Sequence, residues 1–199
     1  MSRVVVVGAT GHIGTYLVPR LVRGGHEVFA VSRGGRGPYQ ASPEWDAVTP
    51  VRADREAEDA GGTFGDRIAA LRPDVVIDLI CFTGASARQL VDALRPSRPL
   101  LVHCGTIWVH GRALRVPVTE DEPRTAFGGY GTGKAEIEAL LHQETRAGGV
   151  PAVVRLPCPI MDLASCITCT PMTWRRRSSV RCRGLRRSGP ASMSLLSRR

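Results

Sequence analysis

The sequence predicts an α/β protein built on one doubly wound parallel β-sheet, and two observations lead to that prediction. Six short apolar runs alternate along the chain with segments of helical periodicity. The runs are nearly continuous in Val, Ile and Leu, which is typical of strands buried on both faces of a parallel sheet. Strand–helix units in series, joined by right-handed crossovers, give a doubly wound sheet.

Each element has its own signal in the 199 residues. The predicted strands are, in chain order, RVVVVG, HEVFAVS, AVTPVRAD, PDVVIDLIC, RPLLVHCG and PAVVRLP. Four intervening segments repeat apolar residues at helical spacing and stop at Gly or Pro: HIGTYLVPRLVRGG, FGDRIAALRP, ARQLVDALRP and YGTGKAEIEALLHQETRAGG. The length suits one domain with a sizeable core.

The formal net charge of +9 comes almost entirely from the end of the chain. Residues 1–157 contain 18 basic and 17 acidic side chains, whereas residues 158–199 contain nine arginines and one acid. The body therefore lacks the basic surface of a nucleic-acid-binding protein. It also lacks a signal region and any apolar run near the roughly 18 residues that span a bilayer. We expect a cytoplasmic protein without a membrane partner.

A glycine-rich loop between the first strand and the first helix predicts a dinucleotide site. In VVVVGATGHIG, Gly8 permits the tight turn, Gly11 admits a pyrophosphate close to the backbone, and Gly14 lets helix and strand pack closely. The helix N-terminus adds free N–H groups and partial positive charge. The alternative is a glycine-rich turn that binds nothing. The remaining residues assigned to this part of the cofactor site are Thr10, His12 and Ile13.

Residues after the next strands bear on which cofactor is bound. Where an acid would accept hydrogen bonds from the ribose of NAD, the sequence has Arg33, which could pair with a 2′-phosphate and favours NADP over NAD. Asp54 follows the third strand and could reach the adenine edge. The alternatives are an exposed loop arginine and a solvated loop acid. Cys81, after the fourth strand, is also assigned to the cofactor site, as are Tyr130 and Lys134.

Tyr130 and Lys134 form the predicted catalytic pair. They lie four residues apart at the start of an amphipathic helix, so both project from one face. A nearby ammonium stabilises a phenolate, which makes a tyrosine useful for proton transfer at neutral pH. Lys134 could also hold the nicotinamide ribose. Thr106, after the fifth strand, offers a hydroxyl to a substrate carbonyl or alcohol, while the nicotinamide exchanges hydride.

More ordinary interpretations apply to the same region. A Tyr and a Lys at this spacing also occur as a surface pair. His103 is expected to be a core histidine, and Cys104 and Trp108 are expected to pack or line a pocket wall.

These motifs together resemble the extended short-chain dehydrogenase/reductase family, the NAD-dependent epimerases and dehydratases that include sugar-nucleotide epimerases. The resemblance covers residues 1–157 and rests on GATGHIG, HCGTIWVHG, YGTGK and VVRLP. It implies a Rossmann-type fold, cofactor contacts at the three loop glycines and Lys134, and catalysis by Thr106, Tyr130 and Lys134. The chain departs from the family at His110, where Tyr is usual, and at Arg33, where an acid or amide is usual. We therefore do not expect an ordinary UDP-sugar epimerase that uses NAD.

The arginine-rich segment 158–199 does not continue the family pattern, and we expect it to be disordered, with the substrate domain missing. If the codons of residues 161–164 end in G or C, the frame that starts on the third base of each codon encodes Gly-Pro-Gly there. The same frame turns residues 166–175 into His-His-Val-His-Ala-Asp-Asp-Val-Ala. Both are family motifs, so a shift of frame near Cys158 is our hypothesis. A basic nucleic-acid arm is the rival, and the C-x-x-C of Cys166 and Cys169 lacks a second ligand pair for zinc.

The sequence thus predicts a nucleotide-binding domain at 1–157 of an NADP- or NAD-dependent epimerase, dehydratase or reductase, and an aberrant tail at 158–199. The substrate is expected to be a sugar nucleotide or related hydroxyl or carbonyl compound, and no metal is expected. Turnover is expected to be impaired in this form. A non-catalytic redox sensor and nucleic-acid binding through the tail are the alternatives, and a homodimer of a full-length form stays open.

Overall fold

Six strands and five helices alternate along the part of the chain that the structure, a computed structural model, describes, namely residues 1–112 and 122–155. The strands are β1 (Arg3–Val7), β2 (Glu27–Ser32), β3 (Thr49–Arg52), β4 (Val75–Asp78), β5 (Leu100–Cys104) and β6 (Ala152–Arg155). The helices are α1 (Gly14–Arg23), α2 (Arg55–Ala60), α3 (Phe64–Ala70), α4 (Gly84–Leu94) and α5 (Gly128–Arg146). Two 3-10 turns lie at Pro43–Ala47 and Ile107–His110.

The strands form one parallel sheet in the order β3-β2-β1-β4-β5-β6. Strand β1 pairs with β2 on one side and with β4 on the other, so the strand order reverses between β1 and β4. In open α/β sheets, ligands bind outside the carboxyl ends of the strands at such a switch point. The predicted doubly wound Rossmann-type sheet is confirmed.

Alternate residues of β1 enter two cores on the two faces of the sheet. Val5 and Val7 pack with residues of α3, α4 and α5, whereas Val4 and Val6 pack with residues of α1. All four valines are at most 1% exposed, which is why this strand is an uninterrupted apolar run rather than an alternating one.

Helix α2 is absent from the predicted elements. Its sequence REAEDA has no apolar face, so periodicity gives no signal for it. It begins because Asp54 caps it: Oδ1 accepts hydrogen bonds from the backbone N–H groups of Glu56 (3.1 Å) and Ala57 (3.4 Å). Asp54, the alternative for which was a solvated loop acid, is exposed and caps α2.

Two further expectations concern membrane spanning and the end of the chain. None of the helices in residues 1–112 and 122–155 is both long and apolar enough to cross a bilayer. The expectations about the tail at 158–199 and about a missing substrate domain lie outside the described residues.

Candidate functional site

A cavity of about 990 Å³ lies at the carboxyl ends of β1 to β4. Its walls come from four segments: the glycine loop after β1, residues 32–36 after β2, residues 53–60 after β3, and the stretch from Ile80 to Gln89 after β4. The cavity therefore occupies the switch point of the sheet. Of the predicted cofactor residues, it is lined by Gly8, Thr10, Gly11, Arg33 and Asp54.

The glycine loop needs its glycines for space as well as for conformation. Gly8 has φ +84°, and a Cβ there would lie 2.7 Å from Cγ2 of Ile80. A Cβ on Gly14 would lie 2.1 Å from the carbonyl oxygen of Ala9, so only glycine lets α1 start so close to β1. The first turn of α1 follows directly, and N–H groups in the first turn of an α-helix have no partner within the helix.

The other predicted loop residues lie beside the cavity rather than in its wall. His12 is exposed, and its ring meets those of Tyr16 and Tyr39 edge-on at centroid distances of 6.0 and 6.2 Å. Ile13 packs against the core on the α1 face of the sheet. The cavity lining among the described residues therefore does not include the side chains of His12 and Ile13.

Arginines rather than acids surround the end of β2. Arg33 and Arg36 both line the cavity, and no carboxylate occurs in residues 32–36. The guanidinium of Arg36 lies over the ring of Tyr39, 5.1 Å from its centroid. A Cβ on Gly34 would lie 3.5 Å from Cδ of Arg52, which brings a third arginine beside this segment. The local charge suits an anion.

Helix α5 brings Tyr130 and Lys134 between the loops that follow β4 and β5. A Cβ on Gly131 would lie 3.1 Å from the carbonyl oxygen of Trp108, and one on Gly133 would lie 2.5 Å from that of Phe82. The two glycines of YGTGK thus let the helix approach both loops closely. Tyr130 is 49% exposed, whereas Lys134 is 2% exposed.

The ammonium of Lys134 is enclosed by neighbouring groups. Its Nζ donates to the carbonyl oxygen of Cys104 (2.8 Å) and lies 3.5 Å from Nε2 of His103. It also lies over two rings, 5.1 Å from the centroid of Phe82 and 6.0 Å from that of Tyr130. Burial lowers the pKa of Lys134. The ammonium of Lys134 therefore lies on the ring side of Tyr130, and no hydrogen bond between the two side chains is observed among the described residues.

Thr106 begins the 3-10 turn on which α5 rests. It is 6% exposed, and its Oγ1 accepts a hydrogen bond from the backbone N–H of Trp108 at 3.3 Å. Since the hydroxyl oxygen is the acceptor there, its hydrogen is left to donate. His110 ends the same turn and is buried, with Nδ1 3.0 Å from the carbonyl oxygen of Glu122. Its imidazole is therefore held against the backbone at Glu122.

A buried ion network lies beneath the cavity. Nη1 of Arg55 contacts Oδ1 of Asp78 at 2.6 Å, and Nε of Arg55 contacts Oδ2 of Asp59 at 3.2 Å. Burial opposes ionisation of Asp78, yet the guanidinium of Arg55 holds the pKa of that carboxyl below its ordinary value. Arg55 is 7% exposed, lines the cavity, and has its Nη2 without a hydrogen-bond partner among the described residues.

The cysteine predicted at the cofactor site is an inert thiol. Cys81 is 1% exposed, and its Sγ lies 3.6 Å from the carbonyl oxygen of Thr83. Burial raises the pKa of Cys81 to about 12, so it stays protonated at neutral pH. Among residues 1–112 and 122–155, no group of three or more His, Cys, Asp and Glu side chains could hold a metal ion. Cys166 and Cys169 lie outside those residues.

Comparison with known proteins agrees with the Rossmann-type fold. Residues 4–161 match the NAD dependent epimerase/dehydratase family. The chain belongs to this family. The 2′-dehydrokanamycin reductase of Streptomyces kanamyceticus is 32% identical over 136 residues, which are 68% of this chain and 36% of that protein.

Solved epimerase structures share the fold of this family member. The UDP-glucose 4-epimerase from Brucella ovis, in complex with NAD, has a TM-score of 0.63 at 20% identity and covers 78% of this chain. The UDP-Glc/GlcNAc 4-epimerase from Campylobacter jejuni has a TM-score of 0.65 at 14% identity over 78%. The matches cover 51% and 53% of those chains, so this epimerase/dehydratase family member spans about half their length.

Several site residues of this family member were missed from the sequence. Phe82 lines the cavity and also contacts Tyr130, with ring centroids 6.2 Å apart, so it joins the cofactor and catalytic residues. A large apolar residue just past the carboxyl end of a buried strand was the available signal. His103 is buried, as expected of a core histidine, but its contact with Lys134 depends on how two distant elements pack. Gly131 and Gly133 were not singled out, because the loops that they approach are distant in sequence.

Proposed function

We propose that the described domain binds a dinucleotide, NADP in preference to NAD, as part of an enzyme that transfers hydride. Its substrate is a sugar nucleotide or a related hydroxyl or carbonyl compound. One observation carries the proposal: the switch-point cavity and the Tyr130–Lys134 pair share Phe82 as a common wall. A cofactor in the cavity would therefore lie next to the group that exchanges the proton.

The cavity fits a dinucleotide on grounds of space and charge. Side chains at Gly8 and Gly14 would collide with Ile80 and with the backbone of Ala9, so the loop keeps a bare backbone at the start of α1. Pyrophosphates bind at such helix starts. Asp54 and Arg33 face the same cavity from the ends of β3 and β2, where the adenosine part of a dinucleotide would lie.

The chemistry needs three side chains and the cofactor. When bound, the nicotinamide supplies or accepts the hydride. Tyr130, half exposed, gives or takes the proton of the substrate oxygen, and the ammonium of Lys134 lies over its ring, 6.0 Å from the centroid. The hydroxyl of Thr106 donates to the same substrate oxygen and fixes its position.

Exchanging Arg33 for alanine tests the cofactor preference. If Arg33 pairs with the 2′-phosphate, Arg33→Ala weakens NADP⁺ binding roughly tenfold or more, since a hydrogen bond to a charged group contributes about 1.5–3 kcal/mol. NAD⁺ binding should change little. Both are measured by calorimetric titration of the purified chain. Arg88→Ala, an exposed arginine outside the cavity wall, is the control with the same charge change.

Equal losses for NADP⁺ and NAD⁺ would contradict the role given to Arg33. If neither nucleotide binds the unchanged protein, the proposed function itself is wrong.

Exchanging Tyr130 for phenylalanine tests the catalytic assignment. The change removes only the hydroxyl, so turnover should fall by about two to four orders of magnitude while cofactor affinity stays within about twofold. The assay follows absorbance of the reduced nicotinamide and the sugar product with UDP-glucose as the first probe. Phe82→Leu, which removes an aromatic wall but no proton donor, separates loss of chemistry from loss of packing.

A non-catalytic redox sensor is the second candidate. It is favoured by the cavity wall, which includes none of Thr106, Tyr130 and Lys134. Cofactor binding without turnover in either the unchanged protein or Tyr130→Phe would support it. In both cases we place the protein in the cytoplasm, with a homodimer as the assembly of a full-length form.

A further inference from the structure

A buried imidazole lies against the amine of Lys134. His103, on β5, is 1% exposed, and its Nε2 is 3.5 Å from Nζ of Lys134 on α5. The same amine donates to the carbonyl oxygen of Cys104 at 2.8 Å. Lys134 is itself 2% exposed, so these groups stand in for the water that an ammonium normally binds. The proposed reaction uses Lys134 but assigns nothing to His103.

The contact determines which form of the imidazole is present. An ammonium has three donors and no acceptor, so a ring nitrogen that faces it must accept. His103 is then neutral, with its proton on Nδ1. Burial lowers the pKa of His103 to about 4, with Asp78 opposing the shift and Lys134 and Arg55 adding to it. At neutral pH the imidazole is in the accepting form.

Charges on the neighbouring elements balance the buried ammonium. His103 is the register partner of Asp78 on β4, so both side chains lie on one face of the sheet. Arg55, from α2, pairs with Asp78 at 2.6 Å and with Asp59 at 3.2 Å. One guanidinium therefore faces two carboxylates, which leaves one net negative charge. That charge offsets the positive charge of Lys134. The charges of Asp78 and of Lys134 both act on His103.

We propose that His103 is a positioning residue for Lys134. Its neutral imidazole accepts a hydrogen bond from the ammonium, with Asp78 as counter-charge, and so keeps Lys134 charged and fixed beside the ring of Tyr130. The proposal rests on the proposed function only where it gives Lys134 and Tyr130 a part in the reaction. The alternative is a histidine that merely fills the core.

The composition of the chain allows a direct test, because Lys134 is its only lysine. A chain labelled with ¹⁵N-lysine gives a single side-chain amine signal, whose titration by NMR reports the pKa of Lys134 without cofactor or substrate. His103→Leu removes the acceptor and should lower that pKa by about one unit or more. His103→Gln, whose Oε1 can replace Nε2 as acceptor, should restore most of it. His142→Leu changes an exposed residue of α5, the helix that carries Lys134, and should leave the pKa of Lys134 unchanged.

A measurement on the unchanged protein covers the case in which a variant does not fold. With ¹⁵N-histidine, the signal of His103 should show an unprotonated Nε2 and a protonated Nδ1, with no titration above about pH 5. A protonated Nε2, or titration near pH 6.5, would overturn the proposal. So would a pKa of Lys134 that stays the same in His103→Leu.

Turnover separates this inference from the proposed function. If the pKa of Lys134 falls in His103→Leu and recovers in His103→Gln, while the protein neither binds NADP⁺ nor turns over substrate, the proposed function is wrong. The positioning role of His103 then stands. If the protein turns over substrate but the pKa of Lys134 is the same in the His103 variants as in the unchanged protein, the positioning role of His103 is wrong. In an active protein, His103→Leu should lower kcat and shift its pH profile more than it changes KM, and His103→Gln should recover both.

Discussion

At the residue scale, the ion pair of Arg55 and Asp78 is the strongest buried electrostatic contact beneath the cavity. Removing one partner of such a pair leaves an uncompensated buried charge, so Asp78→Asn should lower the free energy of unfolding at pH 7 by about 3–5 kcal/mol. Urea denaturation measures it. Asp92→Asn, which breaks the exposed pair with Arg95, should cost less than about 1 kcal/mol.

The pH dependence of that difference has a definite sign. The folded-state pKa of Asp78 lies below its ordinary value, so the pair stabilises the fold above the unfolded-state pKa of about 3.9. Its contribution is lost as the pH falls through the lower folded-state value. The gap between the unchanged protein and Asp78→Asn should therefore close on acidification. A gap that is small at pH 7, or independent of pH, would contradict the ionic assignment.

At the element scale, two glycines set how closely α5 approaches the loops after β4 and β5. A methyl group on Gly133 would lie 2.5 Å from the carbonyl oxygen of Phe82, so Gly133→Ala should destabilise the fold by about 1–3 kcal/mol. Gly129→Ala, in the same helix with nothing within 4 Å of the added carbon, should be neutral or stabilising by up to about 1 kcal/mol. Thermal denaturation compares them, and equal effects would mean that α5 does not sit as described.

The elements differ in how far the sequence predicts them. All six strands were predicted, five of them as nearly continuous apolar runs between turn residues, whereas β3, TPVR, is mostly exposed. Helix α5 was predictable from its periodicity. Helix α2 was not, because it is polar throughout and begins only through the cap that Asp54 provides. In the site, the glycine loop and Tyr130 with Lys134 follow from local spacing. The contacts of Phe82 and His103 depend on which strands lie side by side, and local spacing does not contain that information.

At the scale of the whole molecule, the uneven charge of the chain leads to a prediction about its coding DNA. Residues 1–157 are nearly balanced in charge, whereas residues 158–199 carry nine arginines and one acid. We propose that the arginine-rich part arises from a shifted frame. Sequencing from about codon 150 to the stop should reveal Gly-Pro-Gly and Ala-Asp-Asp-Val-Ala in the frame that begins on each third base. An empty frame would leave the basic segment as a genuine nucleic-acid arm to be tested by salt-dependent binding.

The walls of the switch-point cavity all come from residues between Val7 and Gln89, whereas Tyr130 and Lys134 follow only in α5. The ribosome therefore makes every wall of the cavity before it makes Tyr130 and Lys134, so the proposed binding of a nucleotide and its proposed use are encoded in that order along the chain.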